Sequence, residues 1–320
     1  MKIALIGPGI MPIPPPGWGA VEILIWDYYI ELTRLGHQVQ IINTKDVEEI
    51  IRLVNIGQFE FVHLHYDVYY YILEHLQCPM IAITSHYPYI DQPLKHRYDG
   101  YFPIFEFLVN QTKYYNFVLA DKDMQTFLKY GANSKYIKKI KNGIDSKSFA
   151  FLEMPVYYDK TIYLGKITSR KNQAIYQTMT DVDFVGNCDD PHFQTARINY
   201  LGEWSRYKIH SDLTKYSNLI LLSTGEADPL VVKEALIAGL GVVINKSSAE
   251  NLDTTKDFIT IIEDNKMNDI PYIDTKIKEN RAICRDKRKE IQEYGITHFD
   301  ISIEVEKYIS MISDMSNKDT

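Results

Sequence analysis

Cysteine is scarce in this sequence, and nothing pairs what there is. Cys78, Cys188 and Cys284 are far apart and odd in number, which excludes a disulfide framework and points to a reducing compartment. Basic charge is also in deficit. Lys and Arg number 35 against 42 Asp and Glu, a net charge of −7, so no nucleic acid is expected as a main partner, because phosphate neutralisation needs a basic face. No run approaches the roughly 20 apolar residues of a membrane span. The opening MKIALIGPGI is broken too soon by Gly and Pro to read as a signal peptide, and a cytoplasmic location is expected. The hydrophobic (45%) and charged (24%) fractions are those of an ordinary globular protein, and 320 residues are more than one core supports, so two domains are expected.

Short apolar runs closed by glycine or polar residues alternate with helical periodicity. KIALIG (2–7), HQVQIIN (37–43), FEFVHLH (59–65), PMIAITS (79–85) and NFVLAD (116–121) read as buried strands, and AVEILIWDYYIELTRLG (20–36) as a helix ended by Gly36. AFLEMPVYYDK (150–160) reads as an interdomain linker. The pattern then restarts with TIYLG (161–165), DVDFVG (181–186), INYLG (198–202), NLILLS (218–223), GVVIN (241–245) and FITII (258–262). SIEVEKYISMISDM (302–315) is one amphipathic helix. The spacing predicts two α/β domains with parallel sheets.

Chemistry concentrates in GEADPLVVKEALIAGLGVV (225–243). Asp228 followed by Pro229 predicts a helix start, with Asp as N-cap, Pro at the first helical position and Gly239 beyond the end. Unpaired N–H groups at such a start suit an anion. Glu226 lies just before the helix and Glu234 inside it, so the two reach different parts of one ligand. Taken alone, the same pattern also describes a capped surface helix with two solvated acids.

The E-x7-E frame, together with PPPGWGAVEILIWDYYIELTRLGHQV, FEFVHLH, AITSH, KNGIDSKSF, YLGKITSRKN and YLGEW in the same order, resembles the retaining glycosyltransferases of family 4 over nearly the whole chain. That resemblance implies a GT-B fold: two Rossmann-like domains facing each other across a cleft, with a C-terminal helix crossing back. The implied boundaries are 1–150 (acceptor), 151–298 (nucleotide-sugar donor) and 299–320 (crossover helix). It implies transfer of a hexose from a UDP-sugar or GDP-sugar to a glycan, lipid or other sugar-containing acceptor, with no cofactor or metal. Glu226 and His86 fall beside the reacting sugar and Glu234 on the ribose hydroxyls. The backbone of Leu230 and Val231, with Lys166 and Lys171, falls on the diphosphate. Gly19 and Ala20 form the glycine loop, and Trp204 lies at the nucleobase edge.

Several positions depart from the family pattern. Lys166 replaces an arginine, losing the bidentate fork, and the adjacent Arg170 is placed to compensate. Ala20 replaces a glycine. Asp228 brings charge to an apolar position, where it either binds a sugar hydroxyl or caps the helix. Trp204 either stacks on the base or packs at the surface. These departures keep a second reading open, a catalytically degenerate GT-B protein that binds nucleotide or glycan without turnover. His63 and His65 are too few for a metal site. The four lysines of KYIKKIK (135–141) read as a solvated face in preference to a peripheral membrane contact.

Overall fold

The computed structural model describes residues 1–318. The chain forms two compact units: Met1–Pro15 with Gly19–Gly143 and the helix from Ile301 onward, and Pro16–Trp18 with Ile144–Asp300. Each holds one parallel sheet. The first sheet contains β1 (Lys2–Ile6), β2 (Gln38–Ile42), β3 (Phe61–Leu64), β4 (Met80–Thr84), β5 (Tyr115–Val118) and β6 (Ile137–Lys139), in the order β2-β1-β3-β4-β5-β6. The second contains β7 (Tyr157–Leu164), β8 (Val182–Val185), β9 (Tyr216–Leu221), β10 (Gly241–Asn245) and β11 (Ile259–Ile262), in the order β11-β10-β9-β7-β8. All pairings between these strands are parallel, as runs of buried β-branched residues covered by helices on both faces require.

Both sheets reverse direction part-way. In the first, the chain moves from β1 to β2 on one side and returns to β3 on the other. In the second, it moves from β7 to β8 and returns to β9. At such a reversal the connections leave on opposite faces and open a crevice beyond the carboxyl ends of the two strands.

Three expectations are corrected. Residues 150–160 are not a linker. The Ala150 N–H donates to the His210 carbonyl (2.9 Å), the Leu152 N–H to Thr214 Oγ1 (3.0 Å), and the buried Arg288 donates its Nε–H to the Leu152 carbonyl (2.8 Å). This segment belongs to the second unit, whose first strand begins already at Tyr157, and the division falls between Gly143 and Ile144. The second unit likewise runs on to Asp300. INYLG forms no strand, only an isolated bridge between Phe184 and Tyr200; the Phe184 N–H donates to the Asn199 carbonyl (2.7 Å), and the Asn199 side-chain amide donates to the carbonyls of Gln177, Met179 and Val182.

The C-terminal helix, Ile301–Lys318, groups with the first unit. Its Tyr308 packs edge-on against Tyr28 (4.9 Å between centroids) and meets His63 Nδ1 at 2.8 Å.

Candidate active site

The loops after β7 and β9, at the reversal of the second sheet, are stitched together. The Thr224 N–H donates to the Arg170 carbonyl (2.8 Å), and the Asn172 side chain donates to the Leu222 carbonyl (2.8 Å). The Leu222 N–H donates to the Tyr163 hydroxyl (3.0 Å), which in turn donates to the Lys171 carbonyl. Gly165 and Gly186 close β7 and β8 at φ of 141° and 148°, and a Cβ on Gly186 would stand 2.1 Å from the Gly165 carbonyl oxygen. Only glycine meets both conditions. Lys166 follows directly on that contact.

Three charged side chains converge there. Glu226 Oε1 lies 2.8 Å from the Arg170 guanidinium and 3.4 Å from Lys171 Nζ. Burial pushes the Glu226 carboxyl up, but Lys171 and Arg170 more than offset this and hold it below its ordinary value, so it is ionised at neutral pH. Arg170 does more than stand beside a lysine. It also donates to Ser223 Oγ and to the Gly225 carbonyl, and so fixes the turn that carries Glu226.

The helix Leu230–Ile237 follows, with all eight residues buried. Its N-cap is Pro229 and not Asp228, and the cap makes no side-chain hydrogen bond. The capping expectation fails because Asp228 has a stronger partner. Its Oδ2 lies 2.5 Å from Lys233 Nζ, and both side chains are almost fully buried, at 0% and 1% exposure. The Lys233 ammonium also lies over the Phe299 ring, 5.2 Å from its centroid. Removing either partner would leave the other as an uncompensated buried charge.

Glu234, one turn into the helix, is 3% exposed and accepts from the Arg206 guanidinium at 2.6 Å. Arg206 also meets His210 Nε2 at 3.0 Å.

Trp204 is only 7% exposed, and the Lys208 ammonium stands 4.5 Å from its ring centroid. Of its two readings, packing describes this geometry. Lys166 pairs with Asp189 and lies 4.5 Å from the centroid of the Trp18 ring.

In the first unit, Gly19 is the N-cap of the helix Ala20–Arg34 at φ 124°, a conformation closed to side-chain-bearing residues, whereas Ala20 is the first helical residue and needs no glycine. The loop before it is held by Asn43, which accepts from the Gly9 N–H (2.8 Å) and donates to the Met11 carbonyl (2.8 Å). His86 follows β4, and its ring is 6.0 Å from that of His65, which in turn is 3.8 Å from that of His63. His63 bonds Thr84 Oγ1 at 2.7 Å.

These imidazoles should make the fold acid-sensitive. Burial holds His63 and His65 well below their ordinary value and pushes His86 down to about 4. In the unfolded chain they take up protons near 6.5, whereas the folded chain resists them. The unfolded state therefore binds more protons between these limits, and stability falls as pH drops from about 6.5 towards about 4. Each histidine contributes roughly 1.4 kcal/mol per pH unit within its window. Urea unfolding at about pH 7 and about pH 5 checks this. Equal midpoints would contradict neutral buried imidazoles.

Among the described residues no cluster of three or more His, Cys, Asp or Glu is arranged to hold a metal ion. No described helix is long and apolar enough to cross a membrane. Lys139 of the basic stretch is paired with Asp121 at 2.6 Å.

The sequence reading missed Arg206, Lys233 and Trp18. The Arg206–Glu234 pair spans 28 residues, and Asp228–Lys233 lies at i, i+5, outside the helical pairing distances. Trp18 carried a visible signal, a tryptophan immediately before the glycine loop.

No protein-family profile and no curated protein matches the sequence. Solved structures do. Sucrose-phosphate synthase from Thermosynechococcus elongatus is 12% identical, with a TM-score of 0.76 over 99% of this chain and 99% of that one. Anabaena HepE in complex with UDP and glucose is 14% identical, with a TM-score of 0.70 over 98% and 100%. AviGT4, a glycosyltransferase involved in avilamycin A biosynthesis, is 15% identical, with a TM-score of 0.68 over 97% and 96%. The chain has the GT-B fold of these glycosyltransferases.

Proposed function

We propose that the chain transfers a hexose from a nucleoside diphosphate sugar, with retention of configuration and without a metal, to a hydroxyl of a glycan, lipid or other acceptor. The observation that carries this reading is the junction of Arg170, Lys171 and the buried Glu226 with the start of the helix Leu230–Ile237, at the reversal of the second sheet. Cations and unpaired N–H groups suit a diphosphate, and a buried carboxylate beside them suits a ring that gains positive charge. Because HepE has been solved with UDP and with UDP-glucose, a UDP-sugar is the first donor to try.

In this reading Lys166, Lys171, Arg170 and the N–H groups of Leu230 and Val231 hold the diphosphate, and Glu234 takes the ribose hydroxyls. Glu226 stabilises the sugar as its bond to phosphate breaks. The new bond from the acceptor oxygen forms on the same face of the sugar. The acceptor proton passes to the departing phosphate oxygen, so no side-chain nucleophile is needed. The protein contributes positioning and electrostatics.

Incubation with α-linked UDP-, GDP- and ADP-sugars, followed by proton NMR without acceptor, tests this. Slow release of nucleoside diphosphate is expected, with the α sugar appearing first. The β anomer first would mean inversion, and binding without release would make the chain a degenerate binder. If no nucleotide raises the melting temperature, the donor-site assignment falls, since a ligand at 100 times its Kd adds about 2.7 kcal/mol.

A further inference from the structure

We propose that Trp18 is a positioning residue of the donor site, presenting the Lys166 ammonium on the face of its indole. The inference rests on the reading of Lys166 as a diphosphate cation. Residues Pro16–Trp18 pack with the second unit, although the chain on either side of them belongs to the first. Three contacts seat them. The Arg206 N–H donates to the Pro16 carbonyl (3.4 Å). Gly17 lies so close to Glu203 that an added Cβ would stand 2.4 Å from its Oε1. The Trp18 ring carries Lys166 Nζ at 4.5 Å from its centroid.

A lysine at this position has a compact charge on a flexible stem and lacks the rigid fork of an arginine. Two groups restrain it here, and they differ in kind. Asp189 neutralises the ammonium, and this carboxylate is 56% exposed, so the pair is weak and is competed away by a better anion. The indole attracts the ammonium through its quadrupole and leaves the charge in place. Trp18 therefore orders the lysine and still leaves its charge available to an incoming phosphate. At 39% exposure the ring is not part of a core, so its replacement should not unfold the chain.

The test is calorimetric titration of UDP into wild type, Trp18→Leu, Trp18→Phe, Lys166→Met and the double variant Trp18→Leu/Lys166→Met. Trp18→Leu should weaken UDP roughly threefold to tenfold, the range of a partly desolvated cation–π contact, and Trp18→Phe should recover most of that. In the Lys166→Met background Trp18→Leu should change nothing further. An equal loss in both backgrounds would reduce Trp18 to packing and overturn the proposal. So would a Trp18→Leu protein that binds like wild type while Lys166→Met binds weakly, and that outcome leaves the donor site standing. Wild type that binds no UDP, GDP or ADP would remove both.

Discussion

Glu226→Ala should lower kcat roughly 10²- to 10³-fold, the usual loss when one preorganised electrostatic group is removed from a reacting centre. UDP should bind at least as tightly as before. The reason lies in the ion cluster. Without a donor, Glu226 neutralises part of the charge on Arg170 and Lys171, its partners at 2.8 and 3.4 Å. Deleting the carboxylate leaves those two cations to the diphosphate alone, so the ground state gains attraction. The transition state loses its counter-charge to the flattening sugar, and the loss falls on the chemical step. Glu226→Gln should behave similarly for kcat, because it keeps the volume but not the charge. Steady-state kinetics with the preferred donor measure both variants. A rise in KM with kcat preserved would show that Glu226 binds donor and transition state alike.

Glu234→Ala should do the opposite. Its carboxylate is proposed to hold the ribose, which does not change during transfer, so ground state and transition state lose the same interaction. A hydrogen bond to a charged acceptor is worth about 1.5 to 3 kcal/mol, so donor KM and UDP Kd should rise roughly 10- to 150-fold with little change in kcat. In the structure this carboxylate is held by Arg206, which donates to it at 2.6 Å and whose side chain is 19% exposed. Glu234→Gln, which can still accept a hydrogen bond, should lie between wild type and Glu234→Ala. A fall in kcat at unchanged KM would contradict the ribose role.

The alternation of short apolar strands with helices was legible because it is a local pattern. Strands such as KIALI and GVVIN are buried on both faces and advertise themselves as continuous apolar runs. The two glutamates were legible as well, since they flank one helix start. What escaped the sequence depends on partners that lie outside the helical and strand spacings. Asp228 has every local credential of an N-cap, yet a lysine five residues on buries with it and takes its carboxylate. The stretch 150–160 looks like a linker, but Arg288, 136 residues beyond Leu152, fastens it. INYLG has a strand's composition, but it makes only an isolated bridge beside β8, and the Asn199 side chain binds the carbonyls of Gln177, Met179 and Val182. In each case a buried polar side chain is involved, and its partner lay beyond the reach of periodicity.

The reversal of the second sheet is proposed to be a nucleotide-sugar site in which the two glutamates divide the donor between them. Calorimetric titration of UDP into wild type, Glu226→Ala and Glu234→Ala tests it most directly. Wild type should bind, Glu226→Ala should bind equally or more tightly, and Glu234→Ala should bind roughly 10- to 150-fold more weakly. If Glu226→Ala loses UDP while Glu234→Ala keeps it, the two roles are reversed, and if wild type does not bind at all, the site is not a donor site.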